Sequence, residues 1–191
     1  MQRLLIIGTG GHGRSVAEAF LQRGDYVLVG FLDDAVESGQ HVWDWPVLGT
    51  TAALTACRDW TDAVFVAIGN NKLRETLYTR VKAQGLRLAT VIHPAAVVSP
   101  RAVVGEGSAI MAGAVVGTGA RLGEGVIVNC GAVIDHDCTV EPFAHLGVNA
   151  GMAGNSVLGR RALMPVGSML APGVRIDADR VLHPGETVGA L

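Results

Sequence analysis

The spacing of apolar residues changes period near position 91. Ahead of that point, short apolar runs alternate with amphipathic stretches. Residues 4–7 (Leu-Leu-Ile-Ile) read as a buried strand, and 15–23 as a helix with Val16, Ala19 and Phe20 on one face. Tyr26 to Leu32 predicts a second strand, ending on Asp33 and Asp34. Residues 63–68 predict a third, followed by a helix carrying Leu73, Leu77 and Val81. Strand and helix in alternation predict a small parallel α/β sheet over residues 1–90. The stretch 35–60 predicts a loop with one short helix.

From Ile92 the period becomes six. Every sixth residue from Ile92 to Val188 is aliphatic, 17 positions without a break. The residue four places after each is small from Ala96 to Ser168, Val126 excepted. One frame held this long is a repeat, not chance. Each hexad supplies a short strand and a turn, its aliphatic residue inward and its small residue closing the corner. Three hexads make a triangular coil of 18 residues, so residues 91–191 predict a parallel β-helix of five to six coils. The unbroken frame predicts no protruding loop.

Composition narrows the function classes. A formal net charge of -2, with 17% charged residues, gives no basic surplus for nucleic acid or a membrane surface. Cys57, Cys130 and Cys138 form no CxxC pair and are odd in number, which predicts a reduced, cytoplasmic protein. No long apolar stretch and no signal-peptide pattern is present, so no membrane insertion is expected.

Two segments carry candidate chemistry. Gly8-Thr9-Gly10-Gly11-His12-Gly13 sits between a strand and a helix, with Asp33 about 20 residues on. This fits a dinucleotide fingerprint, and equally a cradle that receives a nucleotide-sugar through backbone N–H groups at a helix N-terminus. The short α/β unit, followed by a β-helix, favours the second. The other segment is Ile134-Asp135-His136-Asp137-Cys138. Carboxylates on both sides of His136 distinguish it from a solvated turn histidine. Cys138 falls on an inward small position and reads as core. Gly154 follows His136 by 18 residues and should stack on the same edge, whereas His145 follows by 9 and should project from the opposite side. That half-coil spacing also argues against a metal site of His136, His145 and His183 in one chain, so no metal is expected. Trp43 and Trp45 fit a loop over the nucleotide or simple packing, and His93-Pro94 marks the junction between the two halves.

The hexads resemble the left-handed β-helix acyltransferases, and the whole chain resembles the sialic acid O-acetyltransferase (NeuD) and UDP-amino-sugar N-acetyltransferase (PglD) group. The matching segments are the Gly8–Gly13 run, Leu32-Asp33-Asp34, Ala67-Ile68-Gly69-Asn70-Asn71, the segment around His136, His145 and Ala153-Gly154. The resemblance implies a Rossmann-like nucleotide-sugar-binding domain followed by a left-handed β-helix that binds acetyl-CoA. It implies His136 as general base and Asp137 as the carboxylate orienting it. It places His145, Gly154 and Val166 at acetyl-CoA, with the Gly154 N–H as oxyanion donor. Gly10, Gly11, His12, Asp33, Asp34 and Asn70 fall to the nucleotide-sugar; Asn129 and Asp135 match polar positions near the base. The activity implied is N-acetylation of a nucleotide-linked amino sugar, for a surface glycan or polysaccharide, by a homotrimer with intersubunit sites. O-acetylation of a sialic acid, or a non-catalytic or metal-binding trimeric β-helix, are the alternatives.

The chain departs from that family in places. Arg180 and Glu186 stand where small residues belong, which predicts an irregular or capping last coil. The Leu163-Met164-Pro165-Val166 and Leu170-Ala171-Pro172 hexads lack the usual turn glycine in third position, and Thr187-Val188-Gly189-Ala190-Leu191 replaces the usual Gly-Asn-Pro-Ala tail.

Overall fold

Leu4 to Ile7 carry no polar side chain, and all four lie buried in an interior strand of a sheet. They end strand β1 (Gln2–Ile7), the first element of a computed structural model that describes residues 1–189. The chain divides into two units, Met1–Val91 and Ile92–Leu191.

In the first unit β1 pairs in parallel with β2 (Tyr26–Leu32), which pairs in parallel with β4 (Trp45–Gly49). β3 (His41–Val42) and β5 (Ala63–Val66) complete the order β3-β4-β2-β1-β5. Helix α1 (Gly11–Arg23) turns Val16, Ala19 and Phe20 to the core, and α2 (Asn71–Ala83) turns Leu77 and Val81. Strands buried on both faces read as unbroken apolar runs, as 4–7 and β5 do. α1 begins four residues earlier than the apolar face suggests, because Gly10 and Gly11 already lie at its N-terminus. β5 stops at Val66, two residues short of the predicted strand.

Residues 35–60 hold more than a loop and a short helix. β3 and β4 form a hairpin, and a 3₁₀ helix spans Thr51–Asp59. Trp43 takes φ 53 at the hairpin tip and is half exposed, whereas Trp45 starts β4.

In the second unit, two-residue strands recur every six residues from β6 (Val91–Ile92) to β20 (Arg175–Ile176), and β21 (Thr187–Val188) keeps the frame. They stack in parallel into three sheets, each strand pairing with the one 18 residues on. Ile134, Val140 and Leu146 point inward at 0–1% exposure, with Ala132, Cys138 and Ala144 filling the corners. Each such Leu or Ile contributes about 1.5–3 kcal/mol of burial.

From Val104 to Leu182 the corners turn through left-handed backbone at the third residue after each inward aliphatic: Gly119, Gly131, Asp137, Asn149 and Asn155 among them. Gly167 (φ 67) and Gly173 (φ 72) occupy this place in the two proline-bearing hexads, so these do have a turn glycine. The last coil also keeps register. Leu163 N–H donates to Arg180 O, Val181 bridges Leu163, and β21 pairs with β19 (Met169–Leu170). Arg180 is exposed, and the part-buried Glu186 accepts from His183 N–H and lies 3.9 Å from the Arg180 guanidinium, so neither breaks the frame. Ala190 and Leu191, the end of the altered tail, lie outside the described residues.

Candidate functional site

In the first unit the glycines of the β1–α1 turn divide into two kinds. Gly8 takes φ 106, and a Cβ there would lie 2.8 Å from Ala67 O. A Cβ at Gly13 would strike the Gly8 backbone. These two close the turn against the sheet. Gly10 and Gly11 have nothing within 4 Å of a would-be Cβ, so a ligand can approach their backbone. They begin α1, where first-turn N–H groups favour an anion.

A cavity of about 280 Å³ opens beside this turn, lined by Gly8, Asp33, Asp34, Thr51, Ile68 and Leu73 among others. Its acidic residues are engaged by the wall itself. Thr9 donates to Asp33 Oδ2 through its N–H (2.8 Å) and hydroxyl (2.7 Å), and Ala35 N–H donates to Oδ1. Thr51 donates to Asp34 in the same double fashion, at 2.7 and 3.0 Å. Burial works to raise the Asp33 pKa, but the bonds from Thr9 and Ala35 outweigh it and hold it below its ordinary value. Asn70 caps α2, its Oδ1 accepting from Leu73 N–H at 3.0 Å.

His12 stands next to a group that sequence reasoning overlooks. Arg74, on α2, is 1% exposed; its guanidinium donates to Ile68 O (2.9 Å), Gly69 O (3.2 Å) and Asn71 Oδ1 (2.8 Å). It fixes the 67–71 loop from beneath. Burial, and after it the charge of Arg74, lower the His12 pKa to about 4. The ring is therefore neutral near pH 7. Its Nε2 is buried and accepts no hydrogen bond from the described residues.

In the second unit His136 lies on the corner between β13 (Val133–Ile134) and β14 (Thr139–Val140). Its Nδ1 is 2.9 Å from Asp137 Oδ2. An ionised carboxylate only accepts, so Nδ1 carries a hydrogen, and in the neutral ring the lone pair lies on Nε2. The bond to Asp137, and then the charge of Asp135, hold the ring's pKa above its ordinary value. Gly154 lies one coil on, against the ring: a Cβ there would fall 2.6 Å from His136 Cε1. No hydrogen bond among the described residues uses the Gly154 N–H. A groove of about 410 Å³ starts at this corner, at Asp135 and Ala153, and crosses Gly151 between Val133 and Met169.

His145 and Val166 lie elsewhere. His145 begins β15 (His145–Leu146), in the third sheet, away from the His136 corner. Val166 is exposed, between β18 (Leu163–Met164) and β19. One chain thus gathers His136, Asp137 and Gly154, and separately Gly10, Gly11, His12, Asp33, Asp34 and Asn70. Cys138 is core, its Sγ near Ala153 O and Ser156 Oγ. Among the described residues no group of three or more His, Cys, Asp or Glu could hold a metal ion.

A parallel β-helix with a histidine–carboxylate pair on one corner is the architecture of the hexapeptide-repeat acyltransferases. The model of the PglD N-terminal domain matches residues 3–81. The chain is similar to a perosamine N-acetyltransferase from Caulobacter crescentus, solved as a histidine-to-asparagine variant with CoA and GDP-perosamine. The two are 37% identical with a TM-score of 0.94, over 98% of this chain and 89% of that one. The acetyltransferase domain of PglB from Neisseria gonorrhoeae, solved with acetyl coenzyme A, is 36% identical with a TM-score of 0.91, over 98% and 94%. The UDP-N-acetylbacillosamine N-acetyltransferase of Bacillus subtilis is 35% identical over 98 residues; that match spans half of this chain and 45% of that protein. The chain belongs to the PglD-like family of hexapeptide-repeat acetyltransferases, with their left-handed β-helix.

Proposed function

We propose that the protein transfers the acetyl group of acetyl-CoA to the amine of a nucleotide-linked amino sugar, with His136 as general base. The observation that carries this reading is the His136–Asp137 pair lying against the backbone of Gly154. His136 Nε2 takes a proton from the attacking neutral amine as its nitrogen bonds to the thioester carbon. The oxyanion so formed accepts a hydrogen bond from the Gly154 N–H. Collapse breaks the C–S bond, and the thiolate of CoA takes the proton from His136. A positioned base contributes about 10²–10⁴-fold, and an oxyanion donor about 10²–10³-fold. Transfer is direct, because the buried Cys138 offers no nucleophile and His136 is committed to the proton.

The nucleotide-sugar sits at the open backbone of Gly10 and Gly11, beside neutral His12, in the cavity whose walls Asp33 and Asp34 brace and whose 67–71 loop Asn70 anchors. Acetyl-CoA meets His136 and Gly154 on one subunit and His145 and Val166 on its neighbour, in a homotrimer. Support for this comes from the placement of His145 and Val166 on other parts of the β-helix. Both substrates are cytoplasmic metabolites, and the three free cysteines suit that compartment. Among the described residues no helix is long and apolar enough to cross a membrane.

Thiol release from acetyl-CoA, measured against nucleotide amino sugars and sialic acids, tests the reading. Turnover on a nucleotide amino sugar is expected. Turnover on sialic acids alone would make the protein an O-acetyltransferase, and none on any acceptor would leave the β-helix a scaffold.

A further inference from the structure

The left-handed corner position does not demand glycine. Phe143 (φ 61), Asn149 (φ 54), Asn155 (φ 60) and Arg161 (φ 57) all occupy it in this chain. Gly119, at φ 71, occupies it one coil before Asp137. A Cβ there would fall on Asp137 Oδ1, with the carboxyl carbon 3.4 Å away. The other oxygen of the same carboxylate, Oδ2, is the one bonded to His136 Nδ1. Asp137 N–H donates to Thr118 O at 2.9 Å, so backbone pairing fixes its height above the lower coil. The carboxylate therefore occupies the space that a side chain at 119 would take.

We propose that Gly119 is a positioning residue, whose missing side chain lets the Asp137 carboxylate fold down across the corner and meet His136. This rests on the reading of His136 as the base. The device recurs two corners on, where Asn149 Oδ1 fills the Cβ space of Gly131. Around His136 it has a chemical consequence. Within 4 Å of the ring, the charged groups among the described residues are Asp137 (2.9 Å) and Asp135 (3.9 Å). A methyl at 119 turns the nearer one away and leaves the ring the weaker contact.

Gly113 provides the control. Its φ is 70, matching Gly119, but a Cβ there meets only the Gly131 backbone, at 3.7 Å or more. The experiment is an NMR titration of the His136 ring in the wild type, Gly119→Ala, Gly113→Ala and Asp137→Ala, with kcat and KM measured alongside. Gly119→Ala is expected to lower the ring's titration midpoint toward that of Asp137→Ala. It should also cut kcat about tenfold, a fraction of what a positioned base supplies, with KM for acetyl-CoA within about twofold. Gly113→Ala should leave the midpoint and kcat as in the wild type. In the double variant Gly119→Ala/Asp137→Ala no further shift is expected, since both changes remove one contact. A wild-type midpoint in Gly119→Ala, or an equal shift in Gly113→Ala, overturns the proposal. If Gly119→Ala does not fold, Asp137→Gly in the same chain must restore folding; failure to do so also overturns it. An active His136→Ala enzyme would instead remove the base reading, while the ring titration still decides the role of Gly119.

Discussion

His136 Nδ1 and Asp137 Oδ2 lie 2.9 Å apart on an exposed corner of the β-helix, and the bond between them fixes which ring nitrogen is free to act. Asp137→Asn weakens that bond and removes a charge. The raised pKa of His136 should fall, so the acid limb of the kcat/KM profile moves to lower pH while the plateau drops. A stability effect follows with the opposite sense. A raised folded-state pKa stabilises at pH below the unfolded value and is lost as pH rises through the folded value. A pH–rate profile of both proteins checks the first shift, and an unchanged acid limb would contradict it.

Gly154 is predicted to be intolerant of even one carbon. A methyl there falls 2.6 Å from His136 Cε1, yet its φ is not in the left-handed region and the backbone accepts alanine. Gly154→Ala should therefore lower kcat about 10²-fold, the usual consequence of displacing a reacting group by about 1 Å. Its melting temperature should stay close to that of the wild type. A collapse of both together would mean that Gly154 serves packing alone.

His12 gives the fold a pH dependence of its own. Its pKa is lowered to about 4, so folding disfavours the protonated ring. Stability contributed by neutral His12 is complete above the unfolded value near 6.5 and is lost as pH falls toward 4. The full effect is on the order of 3 kcal/mol. His12→Asn should flatten the fall in melting temperature between pH 7 and 4. At pH 7.5 it should raise KM for the nucleotide-sugar while leaving KM for acetyl-CoA unchanged.

Arg74 should matter to the first unit without touching a reacting atom. Arg74→Met leaves Ile68 O and Gly69 O without their donor beneath the 67–71 loop, at about 1–3 kcal/mol for each buried polar group unmade. A melting temperature within a degree of the wild type would contradict this.

Subunit mixing tests the intersubunit site. His136→Ala and His145→Ala proteins, each inactive alone, should regain part of the wild-type activity after co-refolding. Mixed trimers would bring an intact His136 of one chain to an intact His145 of another. No recovery would place both histidines in one chain's site.

The β-helix was legible in the sequence because its strands are two residues long and its period is six, so each inward position is marked directly. The same arithmetic placed Gly154 over His136. What escaped depends on contacts across long separations. Asp33 and Asp34 look like free acidic residues, but Thr9 and Thr51, 24 and 17 positions away, occupy them. Arg74 looks like a surface residue of an amphipathic helix, because nothing local shows that the 67–71 loop closes over it. The hairpin and 3₁₀ helix of residues 35–60 carry no sustained period. Gly119 looks like one turn glycine among many until the carboxylate above it is seen.

The most direct measurement is kcat/KM of His136→Ala with acetyl-CoA and the best nucleotide amino sugar, beside its affinity for CoA. A fall of at least about 10²-fold with CoA binding intact is expected of a lost general base. Activity within a few-fold of the wild type would contradict the role given to His136.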